Sequence, residues 1–175
     1  MKMEKQEHTN WCWAAVAVSI HRFLDPGQGN WSQDSLATPV LRSENEITAG
    51  VDCTATPLLC DIPAGLDDAL AITGNLRRFL ENQHLTFNGI KDALAAKVPV
   101  AARVTWYGGG AHFIAIDGYR EFLSGERQVH VLDPQHGPSY QYYDDLVSDY
   151  PPGGNWQDTY LVKKNGGATA ASGDL

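Results

Sequence analysis

Gln6-Glu7-His8-Thr9-Asn10-Trp11-Cys12-Trp13-Ala14-Ala15 sets a cysteine between two tryptophans, where a polar lead-in gives way to an apolar, alanine-rich run. The run continues to Leu24 through Val, Ile and Phe, and Asp25-Pro26-Gly27 stops it, so Cys12 to Leu24 reads as a helix. Asn10 is the expected N-cap, which leaves Cys12 in the first turn. A thiol there meets unpaired backbone N–H groups and the positive end of the helix dipole, and both favour thiolate. Position alone does not suffice. A free cysteine titrates at about pH 8.5, so only about 3% is thiolate at neutral pH, and a value of ~4 needs roughly 6 kcal/mol of differential stabilisation. A helix N-terminus supplies at most about 2 kcal/mol. A useful Cys12 therefore requires a cationic partner from further along the chain, ordinarily a histidine.

Outward from this helix, Trp31-Ser32 opens a second helical segment, Gln33 to Arg42, with Ser32 as N-cap. Ser43 to Gly65 is rich in Thr, Pro and Gly and has no clear period, which suggests a lid or a stapled excursion. It carries Cys53 and Cys60. With Cys12 far away in sequence, the simplest partition of the 3 cysteines is a local Cys53–Cys60 disulfide and one leftover thiol. Two free thiols, or half of a metal site, are the alternatives. Zinc would need two more ligands, and no second Cys pair or closely spaced His pair supplies them, so no metal or other cofactor is expected. A disulfide would favour an oxidising, secreted or translocated location. Leu66 to Ile72 and Leu76 to Leu80 look like short helices, and Phe87 to Lys97 is a clearer one.

From Val98 the period changes. Val100, Ala102, Val104 and Trp106 alternate with Ala101, Arg103, Thr105 and Tyr107, which reads as a strand with one covered face. Gly108-Gly109-Gly110 makes a turn, by default only that, though Gly109 and Gly110 could also admit a substrate backbone. Ala111 to Tyr119 is apolar on both faces, as a central strand would be, and Arg127 to Asp133 follows a turn near Ser124-Gly125. Tyr140–Tyr143 and Thr159–Val162 are further strand candidates, with a short helix at Asp144–Ser148 between them. Helices first and strands second indicate an α+β fold with an antiparallel sheet, residues 1–163 forming one domain and 164–175 a disordered tail. The net charge of −8 argues against nucleic acid or an anionic membrane as partner, and no apolar run approaches bilayer length. Met1 to Gln6 is too short and too polar to read as a secretory signal.

If Ala111–Tyr119 and Arg127–Asp133 pair antiparallel, His112 at the start of one comes near Asp133 at the end of the other. Pro134 biases Asp133 towards extended backbone and ends the strand there. The carboxylate can then hold one imidazole nitrogen while the other faces a thiol. This supplies the cation that Cys12 requires.

Gln6, Cys12-Trp13-Ala14-Ala15, Gly110-Ala111-His112-Phe113 and Leu132-Asp133-Pro134, in that order, resemble the papain-like cysteine proteases. The likeness is greatest to the bacterial avirulence-effector proteases and, more distantly, the bacteriocin-leader peptidases. It spans roughly Gln6 to Val162 and implies a helical lobe with a long central helix packed on an antiparallel sheet lobe. It also implies Cys12 as nucleophile, His112 as general base and acid, Asp133 where papain has Asn, and Gln6 in the oxyanion hole. Papain carries a cysteine and a Gly-Ser shortly before its nucleophile and a tryptophan just after its third catalytic residue. Here Thr9-Asn10-Trp11 and Gln135-His136 stand in those places.

Each residue also has a plainer reading. Cys12 could be a small buried hydrophobe, His112 a satisfied core histidine, Asp133-Pro134 a turn and Gln6 surface. Trp11 and Trp13, candidates for the substrate cleft, are more often core. Their order and shared placement favour a peptidase acting on a protein or peptide, as a monomer. An amidase, deamidase or transglutaminase-like acyl transferase would use the same triad, and a binding module would keep only the scaffold.

Overall fold

The computed structural model describes residues 1–151 and 153–166. Helix α1 runs over Cys12–Leu24, the bounds read from sequence, and within it only Arg22 and Phe23 are exposed. A helix apolar all round belongs in a core, and α1 is the central helix of the helical layer. Its cap differs from expectation. Trp11 occupies the N-cap position and no side chain caps the helix. The Asn10 amide is drawn instead to the Asp61 carbonyl at 2.9 Å. Helix α2 covers Gln33–Ser43, and the Ser32 N–H at its head donates to Ser35 Oγ at 2.9 Å. Between α2 and α3 (Leu66–Ile72) lies the loop containing a 3-10 turn, Pro57–Cys60, and a disulfide joins Cys53 to Cys60.

Leu76–Leu80 is a strand, β1, and not the short helix its apolar ends suggested. Five residues cannot nucleate a helix alone. Tertiary partners decide the matter, because β1 pairs antiparallel with β6 (Gly154–Val162). Asn75, just before β1, is fully buried and donates to Asp25 Oδ2 at 2.6 Å. Helix α4 (Phe87–Ala95) starts at Thr86, whose hydroxyl accepts the Gly89 N–H at 3.1 Å. It ends short of Lys97, which has turned to φ 59°. Strands β2 (Val100–Trp106), β3 (Ala111–Glu121), β4 (Arg127–Asp133) and β5 (Gly137–Tyr142) precede α5 (Tyr143–Ser148). The antiparallel six-stranded sheet has the order β1-β6-β2-β3-β4-β5, with β3 interior as its two apolar faces required.

β2 is covered on both faces rather than one. Val100, Ala102 and Val104 pack with Ile114, Ile116, Val131 and α4–α5 residues Ile90 and Leu146. On the opposite side Ala101, Phe113, Tyr160 and Val162 pack under α1 and α3. Only towards Arg103 and Thr105 does that second face open. The β3–β4 hairpin closes through Phe122 N–H to the Glu126 carbonyl at 2.9 Å, and Leu123 at its tip is fully exposed. Asn165, within the expected tail, donates its N–H to the Asp25 carboxylate at 2.9 Å. Residues 167–175 of that tail lie outside the described residues.

Candidate active site

Cys12 is the first residue of α1, where helix geometry leaves backbone N–H groups without intrahelical acceptors. It is the free cysteine and is 8% exposed at the edge of a cleft of about 840 Å³. His112 reaches this point from the start of β3. Its Nε2 lies 2.8 Å from Asp133 Oδ1, and His112 and Cys12 line the same cleft, close enough for the thiol to favour charge on the ring. The hairpin register pairs Ala115 with Leu132, so His112 and Asp133 meet diagonally across the strand ends rather than as direct partners. Gly137, at φ 86°, closes the turn after Asp133, a backbone conformation that suits glycine.

Asp133 is the anchor of the site. Besides His112, its Oδ1 accepts the Gln135 and His136 N–H groups at 2.7 and 2.9 Å, and its Oδ2 accepts the Tyr150 hydroxyl at 3.2 Å. Burial works against the carboxylate, but the His112 contact and these backbone N–H groups outweigh it and hold Asp133 below its ordinary value. Burial likewise opposes charge on His112. The Asp133 and Cys12 contacts overcome it and raise the imidazole from 6.5 to about 9. His112 is thus an imidazolium at neutral pH, seated between two acidic partners.

Gln6 is fastened beside this group. Its backbone N–H donates to the Pro134 carbonyl at 2.9 Å. Its amide nitrogen donates to the carbonyls of His8 and Thr9 at 2.9 and 2.7 Å. The reverse orientation would set the amide oxygen against two carbonyl oxygens, so the nitrogen must point this way. Gln6 therefore braces the loop that enters α1, a role the sequence did not reveal. Gln33 of α2 secures the same arm, accepting the Glu7 N–H at 3.0 Å and donating to the Lys5 carbonyl at 2.9 Å.

The two tryptophans divide. Trp11 is fully buried, its indole N–H on the Cys60 carbonyl at 2.6 Å, and it takes no part in the cleft. Trp13 is also buried and donates to the Ile62 carbonyl at 3.2 Å, although its edge borders the cleft. Gly110 lines the cleft, whereas Gly109 stands beyond it in the open turn. Pro63, Ala64 and Gly65 also line the cleft, as does Phe79, stacked on Tyr160 with ring centroids 4.9 Å apart. Glu44, Asp67 and Glu81 add negative charge, while Arg103 is paired with Asp158 at 3.0 Å. Burial raises the Glu44 carboxyl, and Asp68 and Asp67 add to this against the Gly65 N–H that Glu44 accepts.

Two contributors were missed by sequence reasoning. Tyr150 is buried and reaches Asp133 from the segment before β6, which no motif marks. Trp106, read only as a strand residue, lies with its ring centroid 6.0 Å from that of His112. It flanks His112 from β2 and lines the same cleft. Among the described residues no group of three or more His, Cys, Asp or Glu is arranged to hold a metal ion.

The family model described as "Peptidase_C39 like family" matches residues 1–160. No individual curated protein matches the chain. Among solved structures, the bromelain protease from Ananas comosus in complex with the E64 inhibitor superposes with a TM-score of 0.51 at 10% identity, covering 93% of each chain. At that identity the likeness speaks for the fold, which is papain-like α+β. The family match covers most of the chain, and by it this chain belongs to the Peptidase_C39 like family and is a cysteine-type peptidase.

Proposed function

We propose that this protein is a monomeric endopeptidase that cuts protein or peptide substrates through Cys12, in the manner of the bacterial effector and leader-processing enzymes it resembles. The observation that carries the reading is the meeting of Cys12, at the head of α1, with His112 on one cleft, the imidazole held at 2.8 Å by Asp133 behind it. The Cys12 sulfur attacks the scissile carbonyl carbon, and the carbonyl oxygen becomes an oxyanion received by the Cys12 N–H. Gln6 supplies the second donor when substrate draws one amide hydrogen away from the His8 or Thr9 carbonyl, since catalytic hydrogen bonds tighten only in the complex. His112 then gives its proton to the departing amine, leaving a thioester on Cys12. Water, deprotonated by His112, attacks that thioester and releases the acid and the free thiol.

The test is labelling with a thiol-directed peptide probe, with mass spectrometry of the modified peptide, alongside turnover of an unfolded protein. Label on Cys12 and complete loss of cleavage in Cys12→Ala are expected. Cleavage that survives in Cys12→Ala overturns the reading. Ammonia release from glutamine without new peptide ends would replace peptidase action with deamidation. Gln6→Ala is expected to lower turnover by about 10²–10³, the usual scale for one oxyanion donor.

A further inference from the structure

The residues flanking Cys12 are pinned from outside by three consecutive residues that the chemistry above does not use. The Asn10 backbone N–H donates to Asp61 Oδ1 at 2.7 Å, and the Asn10 side-chain amide donates to the Asp61 carbonyl at 2.9 Å. Trp11 and Trp13 donate their indole N–H groups to the carbonyls of Cys60 and Ile62, at 2.6 and 3.2 Å. Cys60 itself is tied back to Cys53 by the disulfide, and the Ile62 N–H folds onto the Cys60 carbonyl at 2.7 Å. The next residues, Pro63 to Gly65, line the cleft. Every one of these hydrogen bonds but one uses a backbone carbonyl that any residue would present. The exception is the Asp61 carboxylate.

We infer that Asp61 is a positioning residue for the reaction: its carboxylate holds the Asn10 backbone, and through it aims the Cys12 sulfur and the Cys12 N–H at the scissile carbonyl. This rests on the reading of Cys12 as nucleophile. Asp61 does not line the cleft, and it acts through the Asn10 backbone that it holds. The Asn10 N–H stands two residues before the nucleophile, where a displacement carries directly into the first helical turn. A misplacement of about 1 Å can cost about 10²-fold in rate. Asp61 is held for this task by the disulfide one residue before it, which fixes the loop to itself rather than to the helix.

The experiment measures kcat and KM on one peptide substrate for wild type, Asp61→Ala, Asp61→Asn, Asp61→Glu and Cys12→Ala, with thermal unfolding of each. Asp61→Ala is expected to lower kcat by about 10-fold or more with KM unchanged, because the cleft wall is intact. Asp61→Asn keeps an acceptor oxygen in the same place and is expected to recover kcat to within about threefold of wild type. Asp61→Glu keeps the charge but moves the oxygens, and is expected to behave like the alanine variant. If Asp61→Ala does not fold, the contrast between the Asn and Glu variants decides. A kcat equal to wild type in both Asp61→Ala and Asp61→Glu, or a change confined to KM, overturns the inference while Cys12→Ala remains inactive. An active Cys12→Ala would instead remove the reading beneath it.

Discussion

His112 is where opposing forces are resolved. Burial favours a neutral ring, and two acidic neighbours force a charged one, so the imidazole holds its proton to about pH 9. The basic limb of a kcat/KM profile is therefore expected near that pH. Asp133→Ala should move it down towards the ordinary 6.5 and lower kcat/KM by about 10²-fold. A limb that stays put in that variant would show that Asp133 does not set the proton affinity. Tyr150 acts one step further out. Tyr150→Phe leaves Asp133 Oδ2 without its hydroxyl donor, which should destabilise the fold by about 1–3 kcal/mol in a denaturant titration. The placement of Cys12, His112 and Asp133 was legible because each sits at the start or end of an element that its own neighbours define. Tyr150 was not, since its importance exists only across the sheet.

At the level of elements, legibility follows how local the deciding interactions are. Helix α1 announced both its ends, in an apolar run and an Asp-Pro-Gly stop, and the structure reproduces them. β1 was misread because Leu-Arg-Arg-Phe-Leu has no strong period and takes its strand state from pairing with β6, more than seventy residues later. Asn10 has the chemistry of a cap, but Asp61 claims both its N–H and its amide. Trp11 likewise belongs to the loop that follows Cys53 and not to the cleft. Removing its ring should therefore cost stability before it touches specificity. Trp11→Ala is expected to destabilise by about 3–5 kcal/mol, measured by chemical denaturation. A loss under about 1 kcal/mol would mean that Trp11 is not a core residue.

For the molecule as a whole, the same pair links activity to pH-dependent stability. Asp133 titrates below its ordinary 3.8 in the fold, so its stabilisation is complete above that value and is lost as the pH falls through the lowered one. His112 titrates above 6.5, so its stabilisation is complete below 6.5 and is lost as the pH rises through about 9. The pair contributes most between these ordinary values of 3.8 and 6.5. Thermal midpoints of wild type minus those of His112→Ala should be largest in that window and shrink on both sides. A difference flat from pH 3 to pH 10 would contradict the linkage. The α+β order was legible from helices preceding strands, and the papain-like layout from the residues that carry the resemblance. The covering of both sheet faces was not, because it depends on where α4 and α5 return.

His112 and Asp133 are carried by one hairpin whose tip, with Leu123 fully exposed, is far from the paired ends that face Cys12. A single nick there would put His112 and Asp133 on two separate fragments. Their alignment would then rest on the cross-strand ladder from Ala115–Leu132 to Glu121–Arg127 and on the flanking strands, none of which the cut removes. Clipped enzyme should run as two bands on a denaturing gel and still turn over substrate, until a denaturant separates the pieces.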